Sequence, residues 1–106
     1  FKQAIKGIYH MLKVGGVALV TVAGISQISR YDYDRWGDYW RFTDLSIKKA
    51  FEEIFGEGNV EVETYGNVLS AIAFLHGISA EELTYDELFY KDDYYQITIC
   101  IKVVKR

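Results

Sequence analysis

The sequence predicts an α/β domain, a three-stranded mixed sheet with flanking helices. Three observations carry this. Apolar residues recur at helical spacing in two separate stretches, a short apolar run follows a Gly-Gly pair directly after the first of them, and the chain closes on a long alternating, β-branched run. A length of 106 residues fits one core, so residues 1–106 read as a single domain.

The elements follow in order. Phe1, Ile5, Ile8 and Leu12 form a stripe with Lys2, Lys6 and Lys13 off it, which describes an amphipathic helix packed on one face. Gly15-Gly16 supplies the left-handed backbone that closes such a helix. Val17 to Val22 is nearly continuous in apolar residues and reads as a strand buried on both faces. Helix, tight turn and buried strand make the second half of a parallel βαβ unit, so an earlier strand is expected before Phe1.

From Ala23 to Phe42 the periodicity collapses into a polar, aromatic loop of 20 residues. Loops of that length inside compact domains are commonly functional, and the aromatic load argues for order. Thr43 reads as an N-cap, followed by a helix with Ile47, Ala50, Phe51, Ile54 and Phe55 on one face, ending near Gly56 to Asn59. Val60 to Tyr65 alternates as a strand with one wetter face, and Gly66-Asn67 stops it. Val68 to Leu75 is apolar all round, the pattern of a helix packed in the body of the protein or against a partner. Ser79 with Glu82 three residues on matches a capping box opening a helical stretch toward Leu88. Tyr95 to Val104 is the closing strand.

Half of the residues are apolar and a quarter charged, which excludes a disordered or low-complexity chain. A net charge of −3, with no basic face, argues against nucleic acid as a partner. The longest apolar stretches fall far short of the roughly 20 residues of a membrane span, and no signal peptide opens the chain, so a cytoplasmic protein is expected. Cys100, the sole cysteine, lies in an apolar alternating run and reads as a buried thiol. His10 and His76 each fall at the end of a helical stretch, where positive charge is favoured. These two histidines and one cysteine have no ligand spacing, so no metal is expected.

Two segments resemble class I S-adenosylmethionine-dependent methyltransferases. His10-Met11-Leu12-Lys13-Val14-Gly15-Gly16-Val17-Ala18-Leu19-Val20 is similar to the helix-turn-strand around that family's fifth strand, with Val14 where a proline is usual. Asp38-Tyr39-Trp40-Arg41-Phe42-Thr43 resembles a Tyr-Trp-Arg-Phe-Thr signature of a subgroup associated with surface polysaccharide synthesis. The resemblance covers nearly the whole chain. It implies the C-terminal part of an incomplete Rossmann-like methyltransferase fold, with strands in the order fifth, seventh, sixth, the last strand antiparallel between the other two, and a helical insertion over about residues 68–90. The glycine-rich cofactor loop, the acidic residue for the ribose and the adenine segment would all precede Phe1. S-adenosylmethionine is therefore implied for an intact domain, and no cofactor-binding residue for these 106. Gly15-Gly16 stands after a helix and before a strand, the reverse of a cofactor loop.

In open α/β sheets ligands bind beyond the C-terminal strand ends, and the Ala23 to Phe42 loop leaves such an end. A methyl acceptor needs chiefly to be held, and where required deprotonated. The loop offers Arg30, Arg35 or Arg41 for an anionic group and Asp32, Asp34 or Asp38 as acceptors or a base. Tyr31, Trp36, Tyr39 and Trp40 complete the substrate-binding set, with no catalytic residue assigned. Each has a structural alternative. Trp40 and Phe42 fit core anchors, Arg41 fits a partner to a nearby carboxylate, and the run from Tyr31 to Asp34 fits solvated surface. The function expected is the substrate-side portion of a methyltransferase acting on a small or saccharide-like acceptor, inactive alone, the alternative being a non-catalytic binding or oligomerisation module. The expected partner is the missing N-terminal half, or another chain, across the Val17 to Val22 edge, with a homo-oligomer anticipated.

Overall fold

A computed structural model describes residues 1–106. The elements are α1 (Lys2–Met11), β1 (Val17–Ala23), α2 (Arg30–Arg35), α3 (Asp44–Phe55), β2 (Val60–Tyr65), α4 (Val68–His76), a 3₁₀ turn at Ala80–Glu82, α5 (Tyr85–Phe89) and β3 (Thr98–Val104). The sheet order is β1-β3-β2, and β3 runs antiparallel to both neighbours. The fold is thus α/β with an open three-stranded sheet. The mixed sheet expected from sequence is not realised within the chain, because a parallel neighbour for β1 would have to come from beyond these three strands.

One face of the sheet carries the core. Ile99, Ile101 and Val103 of β3 are fully buried beneath Ile47, Phe51 and Phe55 of α3 and Ile5 of α1. The apolar stripes put those residues there, and the caps hold their helices in place. Thr43 accepts from the Ser46 amide while the Ser46 hydroxyl accepts from the Thr43 amide, and the Asn59 side chain donates to the Phe55 carbonyl at the other end of α3. The end of α1 is closed from far away in sequence, since Lys105 Nζ donates to the Tyr9 and Leu12 carbonyls at 2.9 Å each.

The opposite face is bare, which corrects the expectation of a strand buried on both sides. Along β1 burial alternates: Ala18, Val20 and Val22 face the helices, while Leu19 is 79% exposed. An apolar run specifies two apolar faces, but only neighbours can cover them. Cys100 lies on the same bare face, half-buried and 4.0 Å from the Thr21 hydroxyl, rather than in the core.

Four local features also differ from expectation. The 20-residue loop contains α2, capped by Ser29. The Ser79 hydroxyl makes no cap and bonds Glu81 instead, and the next helix is capped by Thr84, whose hydroxyl accepts from the Glu87 amide and donates to the Glu87 carboxylate. Helix α4 buries only Ser70, Ala71 and Ala73 and leaves Val68, Leu69, Ile72, Phe74 and Leu75 half-exposed, so of the two placements expected for it, the one within the body is not realised. β3 begins at Thr98 rather than Tyr95, because residues 95–97 pass between two glycines. A Cβ on Gly24 would sit 2.1 Å from the Gln96 carbonyl oxygen, and one on Gly66 2.2 Å from that of Tyr95.

Buried Asn67 anchors the 68–90 segment. Its carbonyl accepts the Ser70 amide, and its amide group donates to the Glu87 and Tyr90 carbonyls at 2.8 Å. His10 and His76 both occupy last helical turns, as the sequence implies.

The unequal faces make a direct prediction. Phe51→Ala should cost about 3–5 kcal/mol in urea unfolding, whereas Leu19→Ala on the bare face should change stability by no more than about 0.5 kcal/mol. Equal losses would mean that the bare face is covered in solution. Gly24→Ala should cost about 1–3 kcal/mol by the same measurement, from collision with backbone that has no room to yield.

Candidate functional site

The site is built at the C-terminal end of β1, where the chain leaves the sheet through residues 24–42 and returns as α3. Two backbone bonds continue the β1–β3 pairing past the strand, from Gly24 N to the Ile97 carbonyl and from Ile25 N to that of Gln96. The loop comes back to the strand it left when the Phe42 amide donates to the Ala23 carbonyl at 2.9 Å. Gln96 reaches across to accept the Asp44 amide, so the first amides of α3 are already occupied.

Arg41 and Asp38 close the loop. Arg41 meets the Asp38 carboxylate two-handed, Nη1 to Oδ1 at 2.6 Å and Nη2 to Oδ2 at 2.9 Å, and also donates to the Gln27 and Trp40 carbonyls. The Ser29 amide supplies a further bond to Asp38. Four of the guanidinium's five donors are therefore committed within the loop. Hydrogen bonds from Arg41 and then from the Ser29 amide hold the Asp38 carboxyl at about 2. A carboxylate so far below neutral pH is a weak proton acceptor. Of the two readings of Arg41, the geometry favours the pairing role.

The other candidates remain on the surface. Arg30 pairs with Asp34 and lies 5.0 Å from the Tyr33 ring centroid. Arg35 stacks 3.5 Å from the Tyr31 ring centroid, and Tyr31 meets Trp36 edge-on at 5.9 Å. Tyr39 and Trp36 are exposed. Trp40 is 56% exposed and touches Phe1 edge-on at 5.0 Å, so the core-anchor reading holds for Phe42, packed against the core cluster, and not for Trp40. The loop thus presents aromatic faces with two arginines that keep donors free, while Arg41 holds its shape.

Arg30, Tyr31, Arg35, Trp36, Tyr39, Trp40 and Arg41 line neither of the two larger concavities of the structure. One of about 500 Å³ opens at the strand end between Gly24, Phe42, Asp44, Asp93, Tyr94 and Gln96, and sequence reasoning missed its 93–96 wall. The larger, of about 600 Å³, lies on the bare sheet face among Leu19, Thr21, Cys100, Glu61, Glu63 and Lys102. Its charges are satisfied locally, Lys102 by Glu61 and Glu63 by Lys91. The strand-end crevice is the better candidate site, because the loop and the start of α3 both meet it.

Gly15 and Gly16 do not form a cofactor cradle. The Gly15 amide bonds the Lys105 carbonyl and the Gly16 amide that of Lys13, which leaves no free donors for a phosphate or carboxylate. No group of His, Cys, Asp and Glu side chains is arranged to hold a metal ion. No helix is long and apolar enough to cross a membrane. No family model, curated protein or solved structure matches the chain.

Because its pKa is depressed, the Asp38 pair contributes stability that is present above the usual carboxylate value of about 3.9 and lost as pH falls through about 2. A carboxyl NMR titration should show Asp38 titrating near 2, and Arg41→Met should return it toward about 3.9. An unchanged Asp38 titration in that variant would remove Arg41 as the clamp.

Proposed function

We propose that this chain is the C-terminal, substrate-side portion of an S-adenosylmethionine-dependent methyltransferase acting on a small-molecule or saccharide-like acceptor. The observation that carries the reading is a combination. An antiparallel β3 lies between two mutually parallel strands, and the Asp38-Tyr39-Trp40-Arg41-Phe42-Thr43 segment joins the C-terminal end of the first of them to α3. That order and that segment are what the resemblance implies.

On this reading the loop's work is to hold the acceptor. Exposed Tyr31, Trp36, Tyr39 and Trp40 offer apolar ring faces for stacking, Arg30 and Arg35 offer charge to an anionic group, and the Arg41–Asp38 clamp fixes the loop's shape. Asp38 is set aside as a general base by its pairing. The residues present do not fit the cofactor, so its binding falls to residues upstream of Phe1. The 106 residues alone are then inactive.

A second reading, a binding or assembly module, is favoured by α4, whose Val68, Leu69, Ile72 and Leu75 present half-exposed apolar surface.

Calorimetry separates the two. The gene product extended upstream of Phe1 should release heat with S-adenosylmethionine and be competed by S-adenosylhomocysteine, while residues 1–106 alone should do neither. Silence from the extended product ends the methyltransferase reading.

A further inference from the structure

We propose that the crevice at the strand end holds the ammonium group of a small polar ligand, of the amino-sugar kind, and turns anionic groups away. The proposal deepens the methyltransferase reading and rests on it for the presence of an acceptor, adding the chemistry of the group that is gripped.

The crevice, of about 500 Å³, is of a size that small ligands use. Its walls come from three parts of this chain: the exit of β1 at Gly24 and Ile25, the start of α3, and the 93–96 approach to β3. These walls are joined by bonds within the chain, from Gly24 and Ile25 to the Ile97 and Gln96 carbonyls and from Asp44 to the Gln96 side chain.

The start of a helix ordinarily favours an anion, through its free amides and the field of the helix. Here those amides are occupied. Asp44 N donates to the Gln96 side chain, Leu45 N to the Asp44 carboxylate and Ser46 N to the Thr43 hydroxyl. Beside them, Phe42 N is bonded to the Ala23 carbonyl and Tyr94 N to the Asp92 carboxylate. No lysine, arginine or histidine lines the crevice. Of the cations closest in sequence to its walls, Arg41 is held by Asp38 and Lys91 by Glu63.

What the crevice offers is acceptors. Asp44 and Asp93 both line it, and neither is ion-paired. Each has one oxygen engaged, Asp44 Oδ1 by the Leu45 amide and Asp93 Oδ1 by the Thr64 hydroxyl at 3.5 Å, which leaves the Oδ2 of each open. The exposed ring of Tyr94 adds a face that attracts a cation. Two uncompensated carboxylates and that ring select an ammonium over a neutral hydroxyl, and either over a carboxylate or phosphate.

An NMR titration of the full ¹⁵N-labelled gene product, without S-adenosylmethionine, tests this. The probes share one ring and differ in charge: D-glucosamine, D-glucose and D-glucuronate, at a slightly acid pH where the amine is protonated and the uronate ionised. The Leu45 and Tyr94 amide signals should shift with glucosamine, with a Kd about threefold below that for glucose, the size of an exposed charge pair, and should not move with glucuronate. The double variant Asp44→Asn with Asp93→Asn removes both charges, keeps both acceptors and should bring glucosamine to the affinity of glucose. Unchanged Ile99, Ile101 and Val103 signals check its fold. Should it not fold, raised salt closes the same gap in the native protein. Shifts with glucuronate, equal affinity for glucosamine and glucose, or no shift at all overturns the proposal, as does a glucosamine advantage that survives the folded variant or the salt. Because no cofactor takes part, failure here is distinct from silence in the calorimetry with S-adenosylmethionine.

Discussion

The structure depends on β3 being paired on both sides. β1 and β2 do not pair with each other, and within the sheet each pairs only with Thr98–Val104. The same strand supplies Ile99, Ile101 and Val103, the floor on which α1 and α3 pack. Hydrogen bonding and apolar burial therefore act on the same seven residues, and loss of either would release the other. The approach to β3 is constrained as tightly as the strand itself, because the Gln96 and Tyr95 carbonyls occupy the space that side chains at Gly24 and Gly66 would need.

This arrangement leaves the candidate site a stable base and a mobile-looking composition held still. A loop rich in Tyr, Asp and Arg would ordinarily stay solvated, yet here it is tied at three levels. Phe42 bonds Ala23 at the strand end, Arg41 gathers Asp38 with two carbonyls, and Ser29 caps α2 while its amide holds Asp38. The consequence is a division of labour among the arginines. Arg41 is consumed by the loop's own geometry, whereas Arg30 and Arg35 make their contacts on the surface and remain accessible.

Much of the fold was legible in sequence where it is dictated locally. The stripe from Ile47 to Phe55, the Thr43 cap and the alternation of β2 and β3 each depend on residues within a turn or two, and each appears as expected. Features set by distant partners were not legible. Ser79 and Thr84 both satisfy the capping-box pattern, and it is Asn67, bonding the Glu87 and Tyr90 carbonyls, that fixes α5 at the latter. The apolar run of β1 could not reveal that only one of its faces would be covered. Within the site, sequence showed that the loop was unusual but not which arginine it would use internally. That depended on Gln27, eleven residues before Asp38, folding back to meet Arg41.

The placement of β3 also governs when the protein can fold during its synthesis. The ribosome delivers β1 and β2 long before the strand that must lie between them, and until residues 98–104 emerge neither can form its pairing with β3. Over that interval the nascent chain holds apolar strands and amphipathic helices with no surface to complete them. Lys105, which closes the end of α1, arrives later still. Assembly of the sheet is thus close to a single event, in which the residues of β3 join a strand made some eighty residues earlier.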